Sequence, residues 1–235
     1  MLNPVLEAKK RAVEEAMKIV LDTKRDIVGI GNGSTVDMFI DLLTTSSHLF
    51  IESYFVCASL YTARKLTEAG FKILSISDVD TIDVYVDGAD EVDPELNMLK
   101  GGGAASTLEK ILASASKLRI YMVDYTKLVK KLGEKKPIPV EVLPQSLSIV
   151  VKKLKEKGFK VSIRNLKEGK YGFVIADTGG IILDIIPMQN INLCELDKEL
   201  KSIPGVVETG IFTKDLVDIV VIGYPDKVVI SRRII

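Results

Sequence analysis

The feature that most constrains the fold of this sequence is a series of short aliphatic segments, each followed by a polar turn. Ile27 to Ile30 leads into the glycine-rich turn 31–35, and Ile82 to Val86 runs straight into Asp87. Arg119 to Val123 is a third segment of this kind. Helical patterns separate these segments, and such alternation is typical of a mostly parallel sheet covered on both faces. The sequence therefore predicts an α/β domain of the Rossmann-like class.

The pattern changes after about residue 130. Pro137 and Pro139 suit an edge segment or the beginning of a strand rather than a central strand. Beyond them we predict a small antiparallel α+β domain of the ferredoxin-like type. Ile219 to Gly223 is apolar enough to be a central strand of the first domain. The predicted domains are therefore residues 1–130 with 207–235, and residues 131–206.

The remaining predicted elements follow from the spacing of apolar residues. In the first domain we predict helices at the N-terminus and at 36–43, 60–69 and 108–115, with further strands at 49–57 and 71–76. Beyond residue 130 we predict strands at 140–143, 160–163, 173–176, 181–186 and 206–212, and helices at 146–157 and 193–202.

Charge and cysteine content restrict the possible partners. The 32 basic and 32 acidic residues cancel, whereas a nucleic-acid-binding protein normally shows a basic excess. Cys57 and Cys194 match no metal-ligand spacing, and a disulfide-rich secreted protein would carry more cysteines. No apolar run approaches the ~18 residues of a membrane span. We therefore expect a cytoplasmic protein that binds neither nucleic acid nor membrane.

The turn Gly31-Asn32-Gly33-Ser34-Thr35 has two interpretations. Its glycines allow a tight turn, and its hydroxyls would lie beside the free amides of a helix N-terminus, a place that suits a phosphate. Alternatively, Ser34 is an ordinary N-cap and Asp37 completes a capping box. The turn is neither a Walker P-loop nor a dinucleotide fingerprint, so the pattern leaves both interpretations open.

The acidic turn that begins at Asp87 holds three aspartates and a glutamate within seven residues. Clustered carboxylates bind hydroxyls, hold a divalent metal or have their pKa values pushed apart for acid–base catalysis. A solvated acidic loop is the alternative. The single histidine, His48, lies in a polar stretch typical of the surface, which disfavours a metal site.

The segment from Lys100 to Glu109 contains three successive glycines, Gly101 to Gly103. Their amides would be free to approach an anion or an oxyanion beside the Lys100 ammonium. The spacing of Ser106 and Glu109 equally fits a capping box. Lys127 follows the strand that ends near residue 123, and it either points into the same cleft or is a solvated turn residue.

In their order and spacing, these segments resemble the ribose-5-phosphate isomerase A family. The resemblance covers residues 31–35, 87–91, 100–110, Lys127 and 137–142, and it extends to 204–212. Asn32 is a departure, since many relatives carry Thr there. The resemblance implies an aldose–ketose isomerase that interconverts D-ribose 5-phosphate and D-ribulose 5-phosphate in the non-oxidative pentose phosphate pathway. It also implies an enediolate intermediate and no metal or other cofactor.

The same resemblance implies the roles of individual residues. Glu109 would be the general base, while Asp87 and Lys100 would serve ring opening, proton movement between oxygens and stabilisation of the oxyanion. The substrate-binding residues that it implies are Asn32, Gly33, Ser34, Thr35, Asp87, Gly88, Ala89, Asp90, Lys100, Gly101, Gly102, Gly103, Lys127 and Lys10. It further implies a homodimer or homotetramer, for which the second domain would offer a contact surface.

Two other functions fit the same residues less well. A sugar-phosphate-sensing domain of a bacterial repressor would carry a helix-turn-helix, for which one predicted helix before residue 27 leaves no room. An amino-sugar-phosphate deaminase-isomerase usually recruits a histidine, and His48 is unfavourably placed. We therefore expect the isomerase.

Overall fold

The computed structural model describes residues 3–166, 171–187 and 193–233. The chain forms two compact units. The first comprises Met1–Ala89, Leu108–Leu128 and Lys214–Ile235, and the second comprises Asp90–Thr107 and Val129–Thr213. These bounds differ from those of the predicted domains, which stay a prediction; in particular, residues 90–107 belong to the second unit.

In chain order, the helices and strands are α1 (Pro4–Leu21), β1 (Ile27–Ile30), α2 (Ser34–Thr45), β2 (Tyr54–Cys57), α3 (Leu60–Glu68), β3 (Lys72–Ile73), β4 (Ile82–Gly88), β5 (Glu91–Val92), β6 (Met98–Leu99), α4 (Ser106–Ala115), β7 (Ser116–Asp124), β8 (Ile138–Val142), α5 (Leu147–Glu156), β9 (Phe159–Ile163), β10 (Ile181–Pro187), α6 (Leu193–Lys201), β11 (Val206–Thr209), β12 (Ile211–Phe212), β13 (Ile219–Gly223) and β14 (Val228–Arg232). No described helix is both long and apolar enough to cross a membrane.

The first unit is built on a seven-stranded sheet of order β14-β13-β7-β4-β1-β2-β3. Its strand pairs are parallel except β13–β14. The predicted mostly parallel, Rossmann-like sheet and the return of residues 219–223 to it are confirmed. Since β7, β4 and β1 are parallel neighbours, their carboxyl ends share one edge of the sheet, where ligands of open α/β sheets collect.

Helix α1 shows how local sequence and packing combine in this unit. The Asn3 side chain caps it by accepting from the amide of Val5 at 3.0 Å, and Pro4 occupies the first helical position. Its buried face, which includes Ala12 and Val20, packs against β7 and β13. The approach is closest at Gly223, where a Cβ would overlap the backbone carbonyl of Ala8. Glycine is therefore required at that strand end.

The second unit contains the predicted ferredoxin-like arrangement. Its four-stranded sheet has the order β11-β8-β10-β9, with α5 between β8 and β9 and α6 between β10 and β11. All three strand pairs of this sheet are antiparallel. Apolar residues of both helices, among them Val150, Leu154 and Leu200, join the strands in one core. A small three-stranded sheet, β12-β6-β5, belongs to the same unit.

Several predicted strands are shorter than expected. Residues 47–50 form a 3-10 turn, so only Tyr54–Cys57 of the predicted 49–57 is a strand. The predicted strand 71–76 is reduced to Lys72–Ile73 because the Ser75 side chain accepts from the amide of Ser77 and starts another 3-10 turn. Residues 173–176 make only isolated bridges. Strand β14 was not predicted.

The predicted strand 206–212 is divided at Gly210. Strand β11 pairs with β8, whereas β12 pairs with β6 in a different sheet. A Cβ at Gly210 would overlap the carbonyl of Lys100, and the Lys100 amide donates to the Gly210 carbonyl at 2.8 Å. This close approach lets the chain leave one sheet and enter the other.

The expectation that Pro139 avoids a central strand was wrong, because Pro139 lies in β8 between β11 and β10. Within a strand, the N–H and C=O of one residue point to the same side. The Pro139 carbonyl accepts from the amide of Gly210 at 2.7 Å, just beyond the end of β11 at Thr209. An N–H at position 139 would point past the end of β11. Proline therefore removes no hydrogen bond between β8 and β11.

We expect Gly223→Ala to destabilise the protein by about 1–3 kcal/mol, because the new methyl group must displace the first turns of α1. Gly88→Ala is the matched control. It also lies at the end of a strand of the same sheet, but its Cβ would meet the nearest atom at 3.6 Å, an ordinary contact. Urea unfolding measures both variants, and equal stability of the two would contradict the packing argument.

Candidate active site

Three of the predicted site segments follow neighbouring strands of the first unit. The glycine turn follows β1, Asp87 is the penultimate residue of β4, and Lys127 lies in a 3-10 turn directly after β7. Because these strands are parallel and adjacent, the three segments lie along the carboxyl edge of the sheet. Asp124 starts the turn that carries Lys127 by accepting from the amide of Thr126 at 3.0 Å.

Asp87 is fully buried, so the acidic turn is not a solvated loop at this position. The Tyr85 hydroxyl donates to its Oδ2, and the amides of Gly88 and Asn32 donate to its Oδ1 at 2.7 and 3.3 Å. A Cβ at Gly31 would overlap the carboxylate, so only glycine fits there. These donors stabilise a buried negative charge whose position is fixed by two strands.

The glycine turn does not use Ser34 as an N-cap, contrary to one of the two interpretations. Gly33 is the N-cap of α2, with φ 131°, and makes no side-chain cap. Ser34 is instead the first helical residue, and its Oγ accepts from the Lys9 ammonium at 2.9 Å. Thr35 is buried. The N-terminus of α2 therefore lacks a side-chain cap and has a lysine nearby, which suits an anion.

Two hydroxyl residues outside the turn hold its backbone in place. Thr62 Oγ1 donates to the carbonyl of Gly31 at 2.9 Å, and Ser59 Oγ donates to Asn32 Oδ1 at 3.1 Å. The side chain of Asn32 is thus engaged within the protein.

Glu109 lies on α4 and is 3% exposed. The Oγ of Ser106 is buried without a hydrogen-bond partner in the described part of the chain, so the hydroxyl half of the predicted capping box is not formed. Burial raises the pKa of Tyr85 well above its ordinary value, and the charges of Asp87 and Glu109 raise it further. Both carboxylates therefore act on the same phenol, which remains a neutral hydrogen-bond donor.

In the second unit, Asp90 and the glycine loop 100–103 are joined by a hydrogen bond. The amide of Gly102 donates to Asp90 Oδ2 at 2.8 Å. Gly101 has φ 95°, and Ala104 also has a positive φ, 58°. Lys100 is buried with its ammonium 5.5 Å from the ring centroid of Phe212, while Gly102 and Gly103 are exposed.

The other carboxylates of the acidic turn have structural roles. Buried Glu91 accepts from the amides of Gly133, Lys135 and Lys136 at 2.6–2.7 Å. Asp93 accepts from the amides of Glu95 and Asn97 at 2.9 Å each. Among residues 3–166, 171–187 and 193–233, no group of three or more His, Cys, Asp or Glu side chains is placed to hold a metal ion.

Lys10 and His48 each line a surface depression. Lys10 is exposed and lines a groove of about 530 Å³ between α1 and α2. His48 is exposed in the 3-10 turn before β2 and lines a separate depression with residues 23–26. Lys9, the neighbour of Lys10, contacts the turn 31–35 through Ser34.

Comparison with known proteins identifies the family. The profile of the family described as ribose 5-phosphate isomerase A (phosphoriboisomerase A) matches residues 54–227. A ribose-5-phosphate isomerase A from Haemophilus influenzae is 41% identical over 221 residues, which are 94% of this chain and 96% of that protein. The chain belongs to the ribose 5-phosphate isomerase A family. The resemblance seen in the sequence is confirmed.

Solved structures of ribose 5-phosphate isomerases share the fold over nearly the whole chain. The enzyme from Methanocaldococcus jannaschii is 37% identical with a TM-score of 0.88, covering 96% of this chain and 98% of that chain. A D-ribose-5-phosphate isomerase in complex with phospho-erythronic acid is 39% identical with a TM-score of 0.90, covering 99% and 100%. The predicted fold class is confirmed.

In this member of the ribose 5-phosphate isomerase A family, four residues that support the predicted site were not predicted from sequence: Tyr85, Lys9, Ser59 and Thr62. Tyr85 had a readable signal, because a residue two positions before Asp87 on a strand points to the same face. The other three contact the turn 31–35 from α1 and from the N-terminus of α3. Only the tertiary structure brings them there.

We expect at least two of the seven tyrosines to stay protonated until the protein unfolds at high pH. Burial raises the pKa of both Tyr85 and Tyr121 well above the ordinary value, with nearby carboxylate charges adding to it. The unfolded chain ionises its tyrosines near pH ~10. Their contribution to stability is therefore complete below that pH and is lost as the pH rises above it.

Spectrophotometric titration of the phenolate, followed together with far-UV circular dichroism, measures this effect. A sample unfolded in denaturant provides the reference in which all tyrosines titrate. Ionisation of all seven while the circular dichroism stays native would contradict the expected burial of these two phenols.

Proposed function

We propose that this chain interconverts D-ribose 5-phosphate and D-ribulose 5-phosphate through an enediolate, without a metal ion, in the non-oxidative pentose phosphate pathway. Membership of the ribose 5-phosphate isomerase A family gives the reaction. The observation that carries the mechanism is the pair of buried carboxylates, Asp87 and Glu109, in the first unit. Proton transfer along a sugar requires one group that removes a proton from carbon and another that accepts a proton from a hydroxyl, and two such carboxylates can supply both.

Glu109 is the proposed general base. Isomerisation removes the proton from carbon 2 of the open-chain aldose and returns it to carbon 1 of the ketose. A carboxylate performs both steps, because the acid formed in the first step donates in the second. The burial of Glu109 supports this role, since limited contact with water slows the exchange of the transferred proton with solvent while the enediolate exists.

Asp87 is the proposed partner that accepts a hydroxyl proton of the sugar during ring opening and proton movement between oxygens. The hydroxyl of Tyr85 and the amides of Gly88 and Asn32 hold the carboxylate, so it is already oriented before substrate binds. Lys100 would supply positive charge for the developing enediolate oxygen. Its burial supports that role, because a charge in a water-poor environment acts more strongly.

The phosphate is proposed to bind at the N-terminus of α2. The absence of a side-chain cap and the nearby ammonium of Lys9 support this assignment to Gly33, Ser34 and Thr35. Lys127, half-buried at the same edge of the sheet, is proposed as a second cationic contact. Lys10, which lines the groove between α1 and α2, is proposed as a further substrate contact.

The remaining substrate contacts are proposed for Gly88, Ala89, Asp90 and the glycine loop. We also propose a cytoplasmic homodimer or homotetramer that binds neither nucleic acid nor membrane. Exposed apolar side chains of the second unit, Tyr171, Phe173 and Ile175, support the assembly, because such groups gain from burial between protomers.

Glu109→Gln is expected to lower kcat by about 100- to 10,000-fold, because the amide cannot accept the proton. Its melting temperature should change little, since the side chain keeps its size. The assay converts ribose 5-phosphate in the presence of EDTA, which also tests the metal-free route. Activity that appears only after a divalent metal is added would contradict that part of the proposal.

Asp83→Asn is the matched control for the loss of a buried carboxylate. Asp83 is buried at the other end of β4, where it accepts from the amide of Ile27 at 3.1 Å and pairs with Lys117 at 2.9 Å. This variant should lose stability and keep its kcat. If Glu109→Gln behaved in the same way, the assignment of Glu109 as base would be wrong.

A further inference from the structure

A single arginine of the second unit ties down the glycine loop from outside. Arg164, the residue after β9, directs its Nη1 at the carbonyls of Gly101 and Gly102, at 2.8 and 3.2 Å. The other side of its guanidinium is held by Asp184 of β10, which accepts from Nε at 2.9 Å and from Nη2 at 2.5 Å. The Arg164 and Asp184 side chains are each only 17% exposed.

We infer that Arg164 is a positioning residue of the isomerase, oriented by Asp184, which sets the direction and strength of the glycine-loop amides. This inference rests on the proposed function, in which the glycine loop and Asp90 contact the sugar. Arg164 is not a catalytic residue, because it acts through the loop backbone. It lies 63 residues from Gly101 along the chain, so no local pattern points to it.

Peptide geometry links the guanidinium to the amides. The described peptide bonds contain no cis form, so the C=O and N–H of each unit point in opposite directions. By holding the carbonyls of Gly101 and Gly102, Arg164 directs the amides of Gly102 and Gly103 away from itself. The Gly102 amide indeed points to Asp90. A cation at the carbonyl also polarises the peptide and strengthens its N–H as a donor.

The loop needs such a tie because its backbone is unusual. Gly101 and Ala104 both have positive φ, and for alanine this conformation costs of order 1–2 kcal/mol per residue. Contacts from residues outside the loop must therefore stabilise this backbone conformation. An arginine suits the task better than a lysine, since its planar fork binds a carboxylate with two N–H groups and still donates to two carbonyls.

Arg164→Lys tests the inference, with Arg119→Lys as the matched control. Arg119 in the first unit also binds an aspartate in two-point fashion, to Asp218 at 2.6 and 2.9 Å, and it is similarly buried. We expect Arg164→Lys to lower kcat/KM about 10- to 100-fold, mostly in kcat. Arg119→Lys should lose comparable thermal stability and keep kcat/KM within about twofold.

Chemical rescue provides a readout that a purely structural role would not give. In Arg164→Ala, guanidinium at low millimolar concentration should restore part of kcat, whereas an equal concentration of ammonium should not. Wild-type activity on ribose 5-phosphate is measured first, and its absence would contradict the proposed function itself. Active wild-type enzyme together with an unchanged kcat/KM in Arg164→Lys, or an equal loss in Arg119→Lys, would overturn the role of Arg164 alone.

Discussion

The arrangement of the first unit depends on one buried negative charge, the carboxylate of Asp87. A buried carboxylate is tolerated only with several hydrogen-bond donors around it. Here the hydroxyl of Tyr85 and the amides of Gly88 and Asn32 provide them, so the ends of β1 and β4 are fixed relative to each other. Glycine is required at position 31 for the same reason, because any side chain there would occupy the space of the Asp87 carboxylate.

In the second unit, a positively charged side chain fixes the backbone. Arg164, which is paired with Asp184, donates to the carbonyls of Gly101 and Gly102. Asp90 accepts from the amide of Gly102, which lies between those carbonyls. Glu91 organises residues 133–136 through three amides. In both units, charged side chains are used to fix backbone. The proposed chemistry therefore needs little rearrangement of these groups when substrate binds.

Much of the fold was predictable because parallel strands buried on both faces give continuous apolar runs, as in β1 and β13. Predictions failed where a tertiary contact decides the local structure. Pro139 is accepted in an interior strand because β11 ends beside it, and Gly210 divides a continuous apolar run because of the Lys100 backbone. For Glu109, spacing predicted a capping box, whereas the family resemblance implied a general base. The Ser106 hydroxyl of that box makes no hydrogen bond in the described part of the chain, which spacing does not reveal.

Isotope exchange tests the central claim, proton transfer by a carboxylate through an enediolate, most directly. Ribose 5-phosphate is incubated with the enzyme in D₂O, and the ribulose 5-phosphate formed is analysed by NMR. The account predicts deuterium at carbon 1 of the product, because the acid form of Glu109 exchanges its proton with solvent during some turnovers. A product that carries no deuterium after prolonged equilibration would indicate direct hydride transfer between the carbons and would contradict the account.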